Sequence, residues 1–431
     1  MEIGGINVDA IKAVLKGLIF AHKGNLQEAT NSMLEAIQIA PDYYEAYYHA
    51  GRFLAELGNY DKAIEYLNKV IETVPNFSRA WGVLGDIYER MGDREKGTEL
   101  TVKARDIANK ADDLLRMGSE LEAEGKLEEA LEKYVVATNT DPSFPSAWYN
   151  LAHVYEKMNR LEDAINAFDR VIRIAPDDIF AWNKRVSILK KMNRYDEALA
   201  SYDIMIELDP KKKLFWFWKA RTAEEAGKYD IVLESCKKVL EIDPKDTYAL
   251  LYQAQVCVKS NRFDTAIDSF RKIIEIEPSN LDAYLGLSDL YARKLGNFEE
   301  ALKVIDSALE KDPGNATLLY KKGEIFLLQG KEDEALKLFE KAIEKDMMFV
   351  DAWVKRAEIY EKRGDIVKAS ESYEALTKIK SSDPKAWYLR AKFVAKHGKI
   401  KEAMKYVDRA LKLDPSFEPA QQLKKELSTK K

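Results

Sequence analysis

The residues of this 431-residue chain with the most reactive side chains are four histidines, His22, His49, His153 and His397, and two cysteines, Cys236 and Cys257. Metal binding or nucleophilic catalysis needs such groups at short, repeated spacings. Here they stand far apart along the sequence, and no GxSxG, P-loop, dinucleotide glycine fingerprint or HExxH motif accompanies them. The expectation is a chain that is not an enzyme and takes no metal or cofactor. Two reduced, packed thiols are the plain reading of the cysteines, with a redox pair as the alternative. What remains is non-covalent chemistry, and its most conspicuous carriers are tryptophans. Trp148, Trp182 and Trp216 stand 34 residues apart, as do Trp353 and Trp387, and Trp81 shares their local context. Trp218 breaks the pattern.

The elements that position these side chains follow from the stretch Pro145 to Asp178. Trp148, Leu151, Ala152 and Tyr155 recur at i, i+3, i+4 and i+7, one face of a helix, here called A. After Asn159, the residues Ala164, Phe168 and Val171 repeat the spacing in a helix B, which Pro176 stops by removing a backbone donor. Numbered from Pro145, the unit has Trp at 4, a small residue at 8, Tyr at 11, Asn at 15, Ala at 20, an aromatic at 24 and Pro at 32. This pattern resembles the tetratricopeptide repeat, a 34-residue helix-turn-helix unit. The resemblance implies an all-α fold, a right-handed superhelical solenoid. Twelve copies begin at Ala10, Tyr44, Ser78, Ala111, Pro145, Ile179, Lys213, Thr247, Leu281, Ala316, Val350 and Pro384, and the last ends at Phe417.

Position 15 holds Gly24, Gly58, Gly92, Gly125, Asn159, Asn193, Gly227, Asn261, Gly296, Gly330, Gly364 and Gly398, counting one inserted residue before Gly296. Gly and Asn enter the left-handed backbone region with least strain, as a tight turn from A to B requires. The third repeat departs most from the pattern. Gly97 replaces Ala, Thr101 replaces the aromatic, and Asn109 stands in place of Pro, so its helix B is free to run on into the next helix A. That junction is the expected hinge or subdomain joint. Residues 1–9 carry no repeat pattern and read as a mobile lead-in, with Asp9 as the first N-cap. Residues 418–431 read as a capping helix and tail, with Phe417, Ala420, Leu423 and Leu427 inward.

Length alone suggests two or three domains, but units that touch only their neighbours make one elongated domain. The net charge of −5, with both signs mixed, argues against nucleic acid or an anionic membrane as the main partner. MEIGGINVDA lacks a secretion signal, and no apolar run is long enough to span a bilayer, so the expected place is the cytoplasm, without membrane insertion.

In the family that this chain resembles, helix A lines a concave groove. Stepping 100° per residue, positions 2, 5, 6, 9, 12 and 13 face that groove while 4, 7, 8 and 11 face the core. Six tryptophans are therefore core residues, but Trp218, at position 6, points to the groove with Leu214 and Phe217. Around them the same positions supply Tyr149, Asn150, His153, Asn183, Lys184, Arg221, Tyr252 and Gln255. These eleven residues are the expected peptide-binding site, with Trp218 as the apolar anchor and Lys184 and Arg221 as the charge. The expected function is a protein-protein interaction scaffold that takes an extended peptide or helix of a partner. The family's carboxylate clamp for chaperone C-termini is not present in any three successive repeats. The alternative is RNA or another polyanion, bound by Lys184, Lys190, Lys191, Lys211, Lys212 and Lys213.

Overall fold

A computed structural model describes residues 2–429. Helices A and B alternate throughout, beginning with Val8–His22 and Leu26–Ile39 and ending with Pro384–Lys396, Ile400–Leu413 and the additional helix Glu418–Ser428. No helix among the described residues is long and apolar enough to cross a membrane. The turn from A to B is made as the residue types require: every position-15 residue has a positive φ, from 58° at Asn159 to 92° at Gly92. The small residue at position 8 is there because the large side chain at 24 lies against it. A Cβ on Gly118 would stand 2.5 Å from the Tyr134 ring, and one on Gly51 would stand 2.7 Å from Leu67 Cγ.

The chain divides at Pro244 and Lys245 into two compact units, where the sequence suggested one elongated domain. The second unit holds the last five repeats as a plain stack of hairpins. Its closing helix buries Ala420 and Leu427 and packs Phe417 and Leu423 against the same core. Lys430 and Lys431, the end of the expected tail, lie outside the described residues.

The first unit is not a plain stack. The third helix B and the fourth helix A are one helix, Arg94–Ala123, since Asn109 keeps the backbone donor that Pro would remove. The expected hinge is thus an unbroken helix, and the repeats before it fold back onto those after it. Groove positions of the first repeat, Ile11, Val14, Leu15 and Leu18, are buried in one cluster with Ile165, Phe168, Ile172, Ile204 and Met205 of the fifth and sixth helices B. The fifth helix B, Leu161–Ile174, therefore buries Ile165, Ile172, Asp169 and Arg173 in addition to Ala164, Phe168 and Val171. By contrast, Tyr60–Thr73, an ordinary helix B, buries only Ala63, Leu67 and Val70. These contacts skip several repeats, which is why the neighbour-only picture fails here.

The buried charges inside this closure are paired. Arg173 donates to Glu45 through Nε (3.2 Å) and Nη2 (3.0 Å), and Tyr43 donates to the Arg173 carbonyl at 3.0 Å. Arg185 donates to Asp169 at 2.6 Å and to Ser201 at 2.7 Å. Burial pushes the Asp169 carboxyl up, with Arg185 pulling it the other way. Asp141 joins Ser78 and Ser143 across the same fold-back. The start of the chain belongs to the closure too. Glu2–Ile3 and Ile6–Asn7 pair as a two-stranded hairpin with both isoleucines buried. Gly4 donates to Asp169 at 3.0 Å, and its carbonyl accepts from Arg173 at 2.9 Å. Residues 2–7 are thus docked and are no mobile lead-in, and Asn7 caps the first helix in place of Asp9.

Candidate functional site

Helix A of the fifth repeat, Pro145–Lys157, and helix A of the sixth, Ile179–Lys191, border an open cleft of about 470 Å³. Tyr149, Asn150, His153 and Lys184, four of the expected site residues, line it together with Phe168, Asp178 and Phe180. The buried Phe168 is its floor, and the Tyr149 ring stands edge-on to it at 5.8 Å. Phe180 forms the wall, 5.7 Å from Tyr149 and 59% exposed. Sequence reasoning passed over Phe180 although it occupies position 2, a groove position by the same helical count.

Asp178 sets this geometry. One oxygen caps the sixth helix A by accepting from the amides of Phe180 (2.9 Å) and Ala181 (3.1 Å). The other accepts from the Tyr149 hydroxyl at 2.5 Å. Burial first, then the Asp178 carboxylate, pushes the Tyr149 phenol well above its ordinary range, so it stays a neutral donor. One wall of the cleft is thereby fixed to the start of the other helix.

The rim is polar. His153 lies 3.6 Å from Glu122, which also accepts from Lys157 at 2.8 Å and from Tyr134 at 2.9 Å. Burial alone would raise the Glu122 carboxyl, but Lys157 and Tyr134 hold it below its ordinary value. Asn150 donates weakly to Ser119 at 3.5 Å. Lys184 makes no ion pair among the described residues, and its ammonium lies 5.6 Å from the Phe180 ring centre. The arrangement offers an apolar recess, hydrogen-bonding groups and one uncommitted cation. Nothing in it pairs a nucleophile with a base.

The other expected residues are placed differently. Asn183 is half-buried on the sixth helix A. Leu214 and Arg221 are exposed, and Arg221 has no ion pair among the described residues. Trp218, the expected anchor, is half-buried: its ring packs against Phe215 at 5.7 Å and Tyr202 at 6.5 Å, and Phe217 beside it is half-buried as well. Among the described residues, the exposed aromatic of this unit's groove is thus Phe180. Tyr252 and Gln255 belong to the second unit.

The lysines of the polyanion alternative are largely committed. Lys190 pairs with Glu225 at 2.8 Å, Lys191 with Glu156, and Lys213 with Asp243 at 2.9 Å. Lys212 lies over the Phe215 ring. A phosphate backbone needs several uncompensated cations, and three of the six lysines are held by carboxylates.

The position-4 tryptophans have a second role besides packing. Trp182 is fully buried and the other five are half-buried, and each donates its indole N–H to the carbonyl six residues earlier. The acceptors are Pro75 for Trp81, Pro142 for Trp148, Pro176 for Trp182, Pro210 for Trp216, Met347 for Trp353 and Ser381 for Trp387, at 2.7 to 3.1 Å.

Family models agree with this architecture. Tetratricopeptide repeat models match residues 20–87, 118–159, 145–178 and 183–247. The N-terminal ARM repeat of tetratricopeptide repeat protein 21 matches residues 223–429. No curated protein matches the chain. Among solved structures, yeast Tom70 is 16% identical, with a TM-score of 0.42, over 97% of this chain and 95% of its own. The APC/C hetero-tetramer Cut9-Hcn1 is 13% identical, with a TM-score of 0.35, over 96% and 95%. YrrB, described as a TPR protein with an unusual peptide-binding site, is 22% identical, with a TM-score of 0.32, over 45% and 99%. With tetratricopeptide repeat models between residues 20 and 247, the ARM-repeat model of a tetratricopeptide repeat protein over residues 223–429, and left-handed turns in place in every copy, the chain belongs to the tetratricopeptide repeat family.

Proposed function

We propose that the protein is an interaction scaffold that holds an extended partner segment in the cleft of the fifth and sixth repeats. An apolar side chain of the partner packs on the Phe180 ring beside Tyr149, and an acidic neighbour meets Lys184. The exposed Phe180 ring, held over an apolar recess by a capped helix start, is the observation that carries this reading. A soluble chain normally covers such a ring, and aromatic residues within a polar rim are where binding energy concentrates. The groove of the first repeats is filled by the chain's own fifth and sixth helices B, which leaves the later groove for a partner.

The test is selection of peptides from a random library on the full chain. Recovered binders should share an apolar residue beside an acidic one and lose about tenfold or more in affinity in Phe180→Ser and Lys184→Glu, at unchanged melting temperature. Binders indifferent to both substitutions would refute the reading.

A further inference from the structure

The ninth repeat carries one residue more than its neighbours, and the structure places it where it changes a surface. Helix A begins as Leu281–Asp289 and continues as a single π-helical turn, Leu290–Lys294. Leu295 donates to the Leu290 carbonyl at 3.1 Å and Asn297 to Tyr291 at 2.8 Å, after which Gly296 makes the usual left-handed turn at φ 64°. Such widened turns recur at functional sites because they re-aim side chains without breaking a helix. Counting forward from Leu281, Asp289 keeps the ninth position. Counting back from Gly296, Arg293 and Lys294 take the places that the twelfth and thirteenth residues, both groove positions, have elsewhere.

A second feature coincides with it. Gly286 occupies position 6, a groove position, and a Cβ there would stand 2.6 Å from the Phe270 ring. The glycine lets the Phe270 ring lie close against this helix, and beside the wide turn is a cleft of about 350 Å³, lined by Gln255 and Val258 on one side and by Gly286, Leu290, Arg293 and Lys294 on the other. Phe270 and Leu290, both buried, form an apolar floor. Its rim is charged. Lys259, Arg293 and Lys294 face it with Asp289; Arg293 is held by Asp289 and by Glu324, each at 3.1 Å, and Lys321 pairs with the same two carboxylates at 3.2 and 2.8 Å. Lys294 is exposed and makes no ion pair among the described residues.

We infer that this cleft of the eighth and ninth repeats is a binding site of its own for an extended peptide segment with a large apolar side chain flanked by acidic residues. The apolar side chain lies over the floor made by Phe270 and Leu290, and an acidic flank meets Lys294. The site stands on observations within the second unit and does not depend on the cleft at Phe180.

The test uses the full chain and three fluorescein-labelled heptapeptides: Gly-Ser-Asp-Leu-Glu-Ser-Gly, the same with Ala for Leu, and the same with Lys at both flanks. Fluorescence polarisation should show the first binding about tenfold or more tighter than the other two, with the charge-dependent part fading as salt is raised. Lys294→Glu should weaken it at least about fivefold at unchanged melting temperature. Deleting Lys294, which returns the repeat to its neighbours' length, should abolish it. Phe180→Ser reports the other cleft. Loss in Phe180→Ser with none in Lys294→Glu assigns the peptide to the fifth and sixth repeats and overturns the inference. So does equal binding of the acidic and basic peptides, or no binding of the acidic peptide at about 1 mM.

Discussion

Trp353 donates its indole N–H to the carbonyl of Met347 at 2.9 Å, the bond that Trp148 makes to Pro142 and Trp182 to Pro176. The loop between repeats is thus held by a backbone acceptor, which any residue supplies, and Met347 replaces Pro without loss of register. Trp353→Phe keeps most of the packing and loses the bond, so the second unit should lose about 1 kcal/mol. Met347→Pro should add about 0.4–1 kcal/mol by restricting the unfolded chain. Urea denaturation of the two variants checks both signs, and a destabilising Met347→Pro would show that the loop differs from its neighbours.

The unbroken helix Arg94–Ala123 carries the fold-back of the first unit, and Asn109 lies in its interior. Asn109→Pro restores the residue that other repeats have there, but in this context it removes a helix bond and should cost about 3 kcal/mol or more. Hydrogen exchange should then quicken in residues 2–22, whose partners lie beyond the helix. If exchange there were unchanged, the closure would not depend on helix continuity.

His49 is buried in that closure among Tyr48, Phe53, Arg52 and Arg79, with the Ile174 backbone nearby and no well-formed hydrogen bond to either ring nitrogen. Burial first, then Arg52 and Arg79, lowers its pKa to about 3. Between the ordinary value of 6.5 and that figure, the unfolded chain binds a proton that the folded one refuses. Stability should therefore fall as pH drops below 6.5, by up to about 1.4 kcal/mol per pH unit, and be flat with respect to this group above it. Asp169, raised by burial, acts in the opposite sense below its folded pKa. Comparison of acid unfolding in wild type and His49→Phe isolates the histidine, and the variant should show the shallower fall. An imidazole seen by NMR to titrate near 6.5 in the folded protein would refute this.

Trp218 rests against Tyr202 and Phe215, so its removal opens a gap in the packing of the sixth and seventh repeats. Trp218→Ala should lower the melting temperature at a cost on the order of 2–3 kcal/mol, whereas Phe180→Ser should leave it nearly unchanged. Calorimetry on the two variants decides which aromatic is structural, and the reverse ranking would return the anchor role to Trp218.

Some of this protein is legible in one dimension because it is decided within a repeat or between neighbours. The twelve left-handed turns follow from Gly or Asn at position 15, the close helix pairs from small residues at 8, and the continuous helix from Asn109 standing where Pro would stop it. Each depends on a side chain's effect on its own backbone or on an element a few residues away, and a period displays such effects directly. Ile11, Val14, Leu15 and Leu18 at groove positions, and the apolar second side of Leu161–Ile174, were visible as residue types, but a period does not say which distant surface covers which. The tertiary structure alone decided that the first repeats close on the fifth and sixth and that the hairpin at Ile3 and Ile6 is docked. It also set the exposure of two aromatics: Trp218 is half-buried against Tyr202 and Phe215 while Phe180 is left open, because exposure depends on what the neighbouring elements leave uncovered and not on the angle at which a side chain leaves its helix.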